Sequence, residues 1–240
     1  MKPKYFLVVV AFITAGLLAT INQEPPAQNL PDAISYEQTA QPVATGIQIE
    51  QLPDEVNLAV PFTSQAPHKI WDEEHNEFCE EASVLMAAHY IQGLLIANAD
   101  YAEEQLQKIK NWEIITLGFH KDTTAQETSR ILTEYFDIEN VKLLRDPDLD
   151  QIRKFLAEGK LIVTPAAGRL LGNPNFHSPG PLYHMLVIKG YTQDGKLITN
   201  DPGTRKGADY IYDPEVIMNA MHDWNDGDVY NGQKIVIIIG

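Results

Sequence analysis

The sequence predicts an α+β fold in which N-terminal helices pack on a C-terminal antiparallel sheet. Two observations carry this. Helical periodicity and helix caps dominate 79–159, whereas short apolar runs bounded by turn residues dominate 160–240. The strongest turn signal, Asp194-Gly195, joins two of those runs into a hairpin, which makes the sheet antiparallel.

Taken in order, 58–62 reads as a short strand. Over 79–95, Ala82, Leu85, Met86, His89, Gly93 and Leu94 recur mostly at three- and four-residue steps, which predicts a helix with one buried face. A second, charged helix is expected over 102–110. Thr124 with Glu127 has the pattern of a capping box before a helix reaching Phe136, and Asp148 caps another that stops at Gly159. Strands are expected over 139–144, 160–165, 184–191, 196–200, 210–212 and 234–239. Asp213-Pro214 opens one more helix, with proline in its first turn. The sequence has no internal repeat.

Two segments precede this domain. Lys2 and Lys4 lead into an apolar run over 5–21, broken by Thr14, Gly16 and Thr20, which has the form of an export signal or of an N-terminal membrane anchor. As a helix that run would span roughly 26 Å at about 1.5 Å per residue, a little under a hydrocarbon core of about 30 Å. Residues 22–57 carry Pro25, Pro26, Pro31, Pro42 and Pro53, with acidic residues and no Lys or Arg. That composition predicts an extended linker with little packing against the domain over 58–240. The domain is thus expected outside the cytoplasm, secreted or held at the membrane by the N-terminal segment, and working as a monomer.

The chain has 240 residues, with 18 Lys+Arg against 33 Asp+Glu and a formal charge of −15. Such a field repels phosphate backbones and argues against a nucleic-acid partner. A single cysteine, Cys79, excludes an intramolecular disulfide and any site that needs two thiolates. GxGxxG, GxxxxGK, GxSxG and HExxH patterns are all missing, and the seven histidines include no helical pair at four-residue spacing. No cofactor and no metal is called for.

Cys79 falls at the expected start of a helix, where free N–H groups and the dipole favour a thiolate. Glu77, Glu80 and Glu81 would raise the thiol pKa if they faced it, so activation would need a nearby imidazolium. A buried, chemically idle cysteine is the alternative. Counting back from the Asp194-Gly195 turn, His184 and the pair Asn200-Asp201 fall near the same open end of one hairpin. Either side chain of that pair could orient the imidazole there. His177, in the Gly/Asn/Pro-rich loop 172–180, is a second candidate, against the reading of a solvated loop histidine. The acidic stretch of Glu73, Glu74, Glu77, Glu80 and Glu81 is read as a solvated face rather than a cation site.

Four segments in order resemble the C39-like cysteine peptidase family: Ala59-Val60-Pro61-Phe62-Thr63-Ser64-Gln65, Cys79-Glu80-Glu81-Ala82-Ser83, His184 to Tyr191, and Thr199-Asn200-Asp201-Pro202-Gly203. The resemblance implies a papain-like fold in which Cys79 is the nucleophile, His184 the base, Asp201 its orienting carboxylate and Gln65 an oxyanion donor. It also implies a peptide or protein substrate, cell-wall peptide included, in a cleft flanked by Trp71, His177 and Tyr183. Two features depart from the family. Cys79-Glu80-Glu81 replaces the more usual Cys-Gly-Pro, and Gln65 lies 14 residues before Cys79, which leaves Asn76 as the alternative oxyanion donor. The same machinery would serve a cell-wall amidase or an acyl transferase, and without activity the domain would be a binding module for peptides or wall polymer.

Overall fold

The longest apolar runs of the second half form the centre of the structure. In a computed structural model that describes residues 30–39 and 52–240, β3 (Leu161–Ala167), β4 (Tyr183–Tyr191) and β7 (Ile235–Ile239) are buried at every position. A strand buried at all positions is covered on both faces, which fits runs that are continuously apolar rather than alternating. With β2 (Val141–Arg145), β5 (Leu197–Asn200) and β6 (Tyr210–Tyr212) they give an antiparallel sheet of order β2-β7-β3-β4-β5-β6. The β4–β5 hairpin turns at Asp194-Gly195, where Gly195 has φ +85° and the Thr192 N–H donates to Lys196 O at 2.9 Å. Its register pairs Val187 with Asn200, so His184 and Asp201 both lie beyond that pairing, at the hairpin's open end.

The helices follow their local signals. α2 (Cys79–Ile91) packs on β3 and β4, and Ser83 Oγ donates to Met185 O at 3.1 Å, seating its first turns on the start of β4. Residues 79–90 are all buried, so α2 runs through the interior instead of presenting the single buried face that the periodicity suggested. It ends before Gly93, at φ +65°, with Leu94 N–H donating to His89 O. α3 (Ala99–Thr116) is capped by Asn98 and is longer than expected at both ends. α4 (Ala125–Arg130) has the Thr124/Glu127 capping box and continues as a π-helical turn, Ile131–Tyr135. α5 (Leu149–Ala157) has the Asp148/Gln151 box, and α6 (Pro214–Ala220) begins on its proline.

The start of the domain differs from the sequence reading. The strand expected over 58–62 is displaced: β1 (Val56–Asn57) pairs with Tyr191 and Gly190 of β4, and Leu58 forms a bridge with Ile34. Residues 30–39, placed in the linker by their composition, lie against the domain. Ile34 N–H donates to Asn57 O at 2.7 Å, Ala59 N–H donates to Ile34 O at 2.8 Å, and the short α1 (Tyr36–Thr39) sets Tyr36 edge-on to Tyr90 at 5.6 Å. Ile34 and Tyr36 supply apolar area that a reading of prolines and charge overlooks. The apolar run over 5–21 and the rest of the expected linker before 52 lie outside the described residues. Among the described residues, no helix is long and apolar enough to cross a membrane.

Glu113 of α3 and Glu81 of α2 are both fully buried, and neither carboxyl has a hydrogen-bond partner; His120 Nδ1 approaches Glu81 to 3.4 Å. Burial first, and then the Glu81 charge, pushes the Glu113 carboxyl far above its ordinary 4.5, so it favours the neutral form. The stability Glu113 contributes is therefore complete below about pH 4.5 and is lost as pH rises toward its folded value. Glu113→Gln keeps a donor without an ionisable proton. In urea unfolding it is expected to match the wild type near pH 4 and to exceed it by about 1–3 kcal/mol at pH 8; equal stabilities at pH 8 would contradict a raised Glu113 carboxyl.

Candidate active site

His184 and Asp201 meet at the open end of the hairpin. His184 Nε2 lies 2.8 Å from Asp201 Oδ1, and both side chains are at most 1% exposed. The carboxylate is saturated with donors. Gly203 N–H reaches Oδ1 at 3.0 Å, while Tyr212 Oη–H at 2.6 Å and Asn173 Nδ2 at 3.1 Å reach Oδ2. Burial raises the Asp201 pKa, but His184, Tyr212 and the Gly203 N–H outweigh it, and the carboxyl is held below its ordinary value. An anion there fixes the proton of the neutral ring on Nε2 and leaves Nδ1 as an acceptor. Phe176 packs edge-on against the ring at 5.3 Å. Gly203 lies so near that a Cβ there would sit 2.9 Å from His184 Cε1.

Asn200, the alternative orienting residue, faces elsewhere. Its amide donates to Val60 O at 3.2 Å and Pro61 O at 3.3 Å, and its oxygen accepts from Asp209 N–H at 3.1 Å, holding the chain that leads to Gln65. Gln65 is fixed from two sides. Its backbone N–H donates to Pro202 O at 3.0 Å, and its Nε2 donates to His75 O at 2.8 Å. A flipped amide would set two oxygens together, so this orientation is the one with a partner, and the second Nε2 proton is left over. The 14-residue excursion between Gln65 and Cys79 is closed by His75. Its ring bridges Asp72 at 2.7 Å and Glu103 of α3 at 3.0 Å. Burial lowers the His75 pKa, but the two carboxylates outweigh it, so it is raised.

Cys79 is the first residue of α2 and is 5% exposed. Its thiol donates to Glu80 Oε2 at 2.9 Å, so Glu80 does face the sulfur. Burial, then the Glu80 and Glu81 charges, push the thiol well above its ordinary value, and only the Met185 backbone N–H opposes them. Glu80 is itself raised, by burial and by Glu81. Both groups therefore favour their neutral forms. The Met185 N–H that acts on the sulfur is next in the chain to His184, which puts Cys79 beside the start of β4.

A cleft of about 380 Å³ lies over Cys79, with Gln65, Trp71, Phe176, His177 and Gly203 in its walls. Trp71 and His177 meet edge-on in its wall at 6.4 Å. Tyr183 also lines the cleft, but its hydroxyl is turned into the core, donating to Thr123 O at 2.9 Å. Asn76 lies in the lining and is exposed. Among the described residues no group of three or more His, Cys, Asp or Glu side chains is arranged to hold a metal ion. Asn173 and Tyr212 were not anticipated from the sequence. The only signal for Tyr212 was its strand beside β5, and Asn173 stood in a loop singled out for His177.

Residues 57–228 match the Peptidase_C39 like family. Among solved structures, a Bacillus anthracis protein described as a C39-like peptidase aligns with a TM-score of 0.50 at 16% identity, over 78% of this chain and 98% of its own. A fragment of prointerpain A from Prevotella intermedia aligns with a TM-score of 0.47 at 10% identity, over 78% of this chain and 72% of its own. No curated protein matches the sequence. The first alignment agrees with the order of helices and antiparallel strands described above, and the family match contains every residue of the site; the chain belongs to the C39-like peptidase family.

Proposed function

We propose that this protein is an exported thiol hydrolase that cleaves a peptide bond of a peptide or protein substrate through a covalent acyl-enzyme. The observation that carries the reading is the buried His184–Asp201 pair, its carboxylate saturated with donors, set at the start of β4 beside a cleft lined by Cys79 and Gln65. His184 Nδ1 takes the thiol proton, and the sulfur adds to the scissile carbonyl carbon. The second Gln65 Nε2 proton and the Cys79 backbone N–H stabilise the oxyanion. The C–N bond then breaks as the imidazolium returns its proton to the leaving amine, and water, deprotonated by His184, releases the acid from the thioester. Asp201 keeps the ring oriented and stabilises its cationic form. Trp71 and His177 flank the bound chain. The extracytoplasmic setting rests on the apolar run over 5–21.

A second reading is favoured by one observation, the hydrogen bond from the thiol to Glu80: a catalytically silent module that binds peptides in the same cleft. Labelling with an electrophilic thiol probe, read by mass spectrometry on native and denatured protein, separates the two. Because the resting thiol is held neutral, the hydrolase reading expects a peptidyl electrophile that fills the cleft to label native Cys79 faster than the denatured thiol at pH 7–8, whereas slower labelling of the native protein by that probe supports the silent module.

Roles within the constellation differ in kind. On a peptide found by library screening, Cys79→Ala is expected to abolish acyl-enzyme formation. Asp201→Asn should lower kcat in a protein that still folds but loses about 1–3 kcal/mol of stability, because the amide Nδ2 meets donors where the carboxylate offered acceptors. Gln65→Ala should lower turnover about 10²-fold while sparing alkylation of Cys79, because an oxyanion donor acts on the transition state; full turnover in this variant would move that role to Asn76.

Glu80 sets a pH prediction. With the thiol raised by burial and by Glu80, alkylation of Cys79 in the absence of substrate should still be climbing above the ordinary thiol value of 9.0. Glu80→Gln removes the charge that opposes the thiolate at high pH, so the midpoint of the rate profile should shift to lower pH. An unchanged profile would mean that Glu80 does not act on the sulfur.

A further inference from the structure

The wall formed by Trp71 and His177 has a second side. Beyond the cysteine cleft these two residues, together with Gly203, also line a cavity of about 460 Å³ whose other walls include Lys69, Arg205 and Lys206. Lys69 and Arg205 border a third cavity together as well. The two sides of the wall differ in charge. The cleft over Cys79 contains Glu77, Glu80 and Asp122, whereas this cavity contains three cations and no acidic residue.

That concentration stands out in a chain with 18 Lys+Arg and a net charge of −15. The three side chains are exposed, and among the described residues none makes an ion pair. Lys69 also holds φ +67°, a conformation that a residue with a Cβ rarely adopts, and its N–H donates to Ala66 O at 2.9 Å. Arg205 and Lys206 sit on the turn 201–207, which starts at Asp201 and is closed by Asp201 N–H donating to Gly207 O at 2.9 Å. The cations are thus carried by the same two segments that carry Gln65 and Asp201.

We propose that this cavity is a carboxylate-binding subsite of the peptide cleft. A substrate chain passing the Trp71–His177 wall would place an acidic side chain, or its own C-terminal carboxylate, between Lys69, Arg205 and Lys206. The guanidinium fork of Arg205 suits a carboxylate in bidentate geometry, and the two lysines add point charges on either side of it. A polyanion is disfavoured by the negative field of the whole protein, whereas a single carboxylate meets only the local cations. The assignment rests on the peptide-hydrolase reading of the cleft and names the substrate class for it.

The test measures binding separately from turnover. Fluorescein-labelled octapeptide pools, randomised except for one position fixed as Glu or as Gln, are titrated by fluorescence anisotropy against the full chain carrying Cys79→Ala. Parallel pools end in a free carboxylate or an amide. Exposed charge pairs contribute at most about fivefold each, so a preference of about tenfold is expected for the acidic member of one pair. That preference should fall to about one in Arg205→Gln/Lys206→Gln, shrink in Lys69→Gln and weaken with salt. The pool pair that shows it tells a side chain from a chain terminus. Equal affinities for acid and amide pools, no binding of any pool, or a preference unchanged in the double variant overturns the proposal. Turnover of neutral peptides without acid preference would remove this subsite and leave the hydrolase standing. Acid preference with no turnover of any peptide by the unsubstituted chain would do the reverse.

Discussion

A charged carboxylate in the protein interior is the constraint around which the site is organised. Burying Asp201 as an anion costs several kcal/mol unless donors replace the lost water. His184, Tyr212, Asn173 and the Gly203 N–H supply them, and they come from β4, β6, the loop 172–180 and the turn after β5. Anything that moved one of those segments would leave an unsatisfied charge, so the requirement to solvate Asp201 holds four parts of the chain in register. The glycines record how tight the arrangement is. A Cβ on Gly207 would lie 1.7 Å from Asp201 O, and one on Gly203 would press on His184. Pro202 O, in the same turn, fixes the Gln65 backbone. One buried charge thereby determines the placement of His184 and, through Pro202, of Gln65.

The sulfur sits in the opposite electrostatic environment. Cys79 lies at a helix start, which favours a thiolate, but it is buried beside Glu80 and Glu81, which oppose it more strongly. The resting protein keeps thiol and carboxylic acid neutral and hydrogen-bonded to each other. Under the hydrolase reading, loss of the thiol proton is therefore coupled to attack: the proton leaves as the sulfur adds to a bound carbonyl, and no free thiolate accumulates beforehand. A thiol held neutral until substrate arrives is also protected from oxidation in an oxidising compartment, the setting proposed for this domain.

What the sequence reveals and what it hides divide by range. The Asp194-Gly195 turn, with apolar runs on each side, was enough to bring His184 and Asp201 near one end of a hairpin, and a shift of one residue between Ile188 and Gly190 does not undo that. The Thr124/Glu127 capping box and the Asp148 cap were readable for the same reason, since each is closed within four residues; the Gln151 half of the second box was not read. Long-range pairing was not. β1 forms at Val56–Asn57 because Gly190 of β4 lets the Val56 carbonyl approach to where a Cβ would be 2.0 Å away, and nothing near Val56 announces this. Residues 30–39 pack through Ile34 and Tyr36, which a compositional reading of a Pro-rich, acidic stretch averages away. The choice between Asn200 and Asp201 is a question of side-chain direction at a strand end, and the partners Asn173 and Tyr212 lie 28 and 11 residues from Asp201. That Glu80 turns to the sulfur depends on the burial of α2 along its whole circumference, a property of its surroundings and not of its own periodicity.

The central claim is that Cys79 and His184 act together on a carbonyl. Intact-mass spectrometry of the protein, quenched in acid during reaction with an acyl-peptide p-nitrophenyl ester, tests it most directly. The account predicts a mass gain equal to the acyl-peptide group, located on Cys79, lost on treatment with hydroxylamine, and absent from His184→Ala quenched at the same time. Unmodified Cys79 in the wild type, or equal acylation with and without the imidazole, would contradict it.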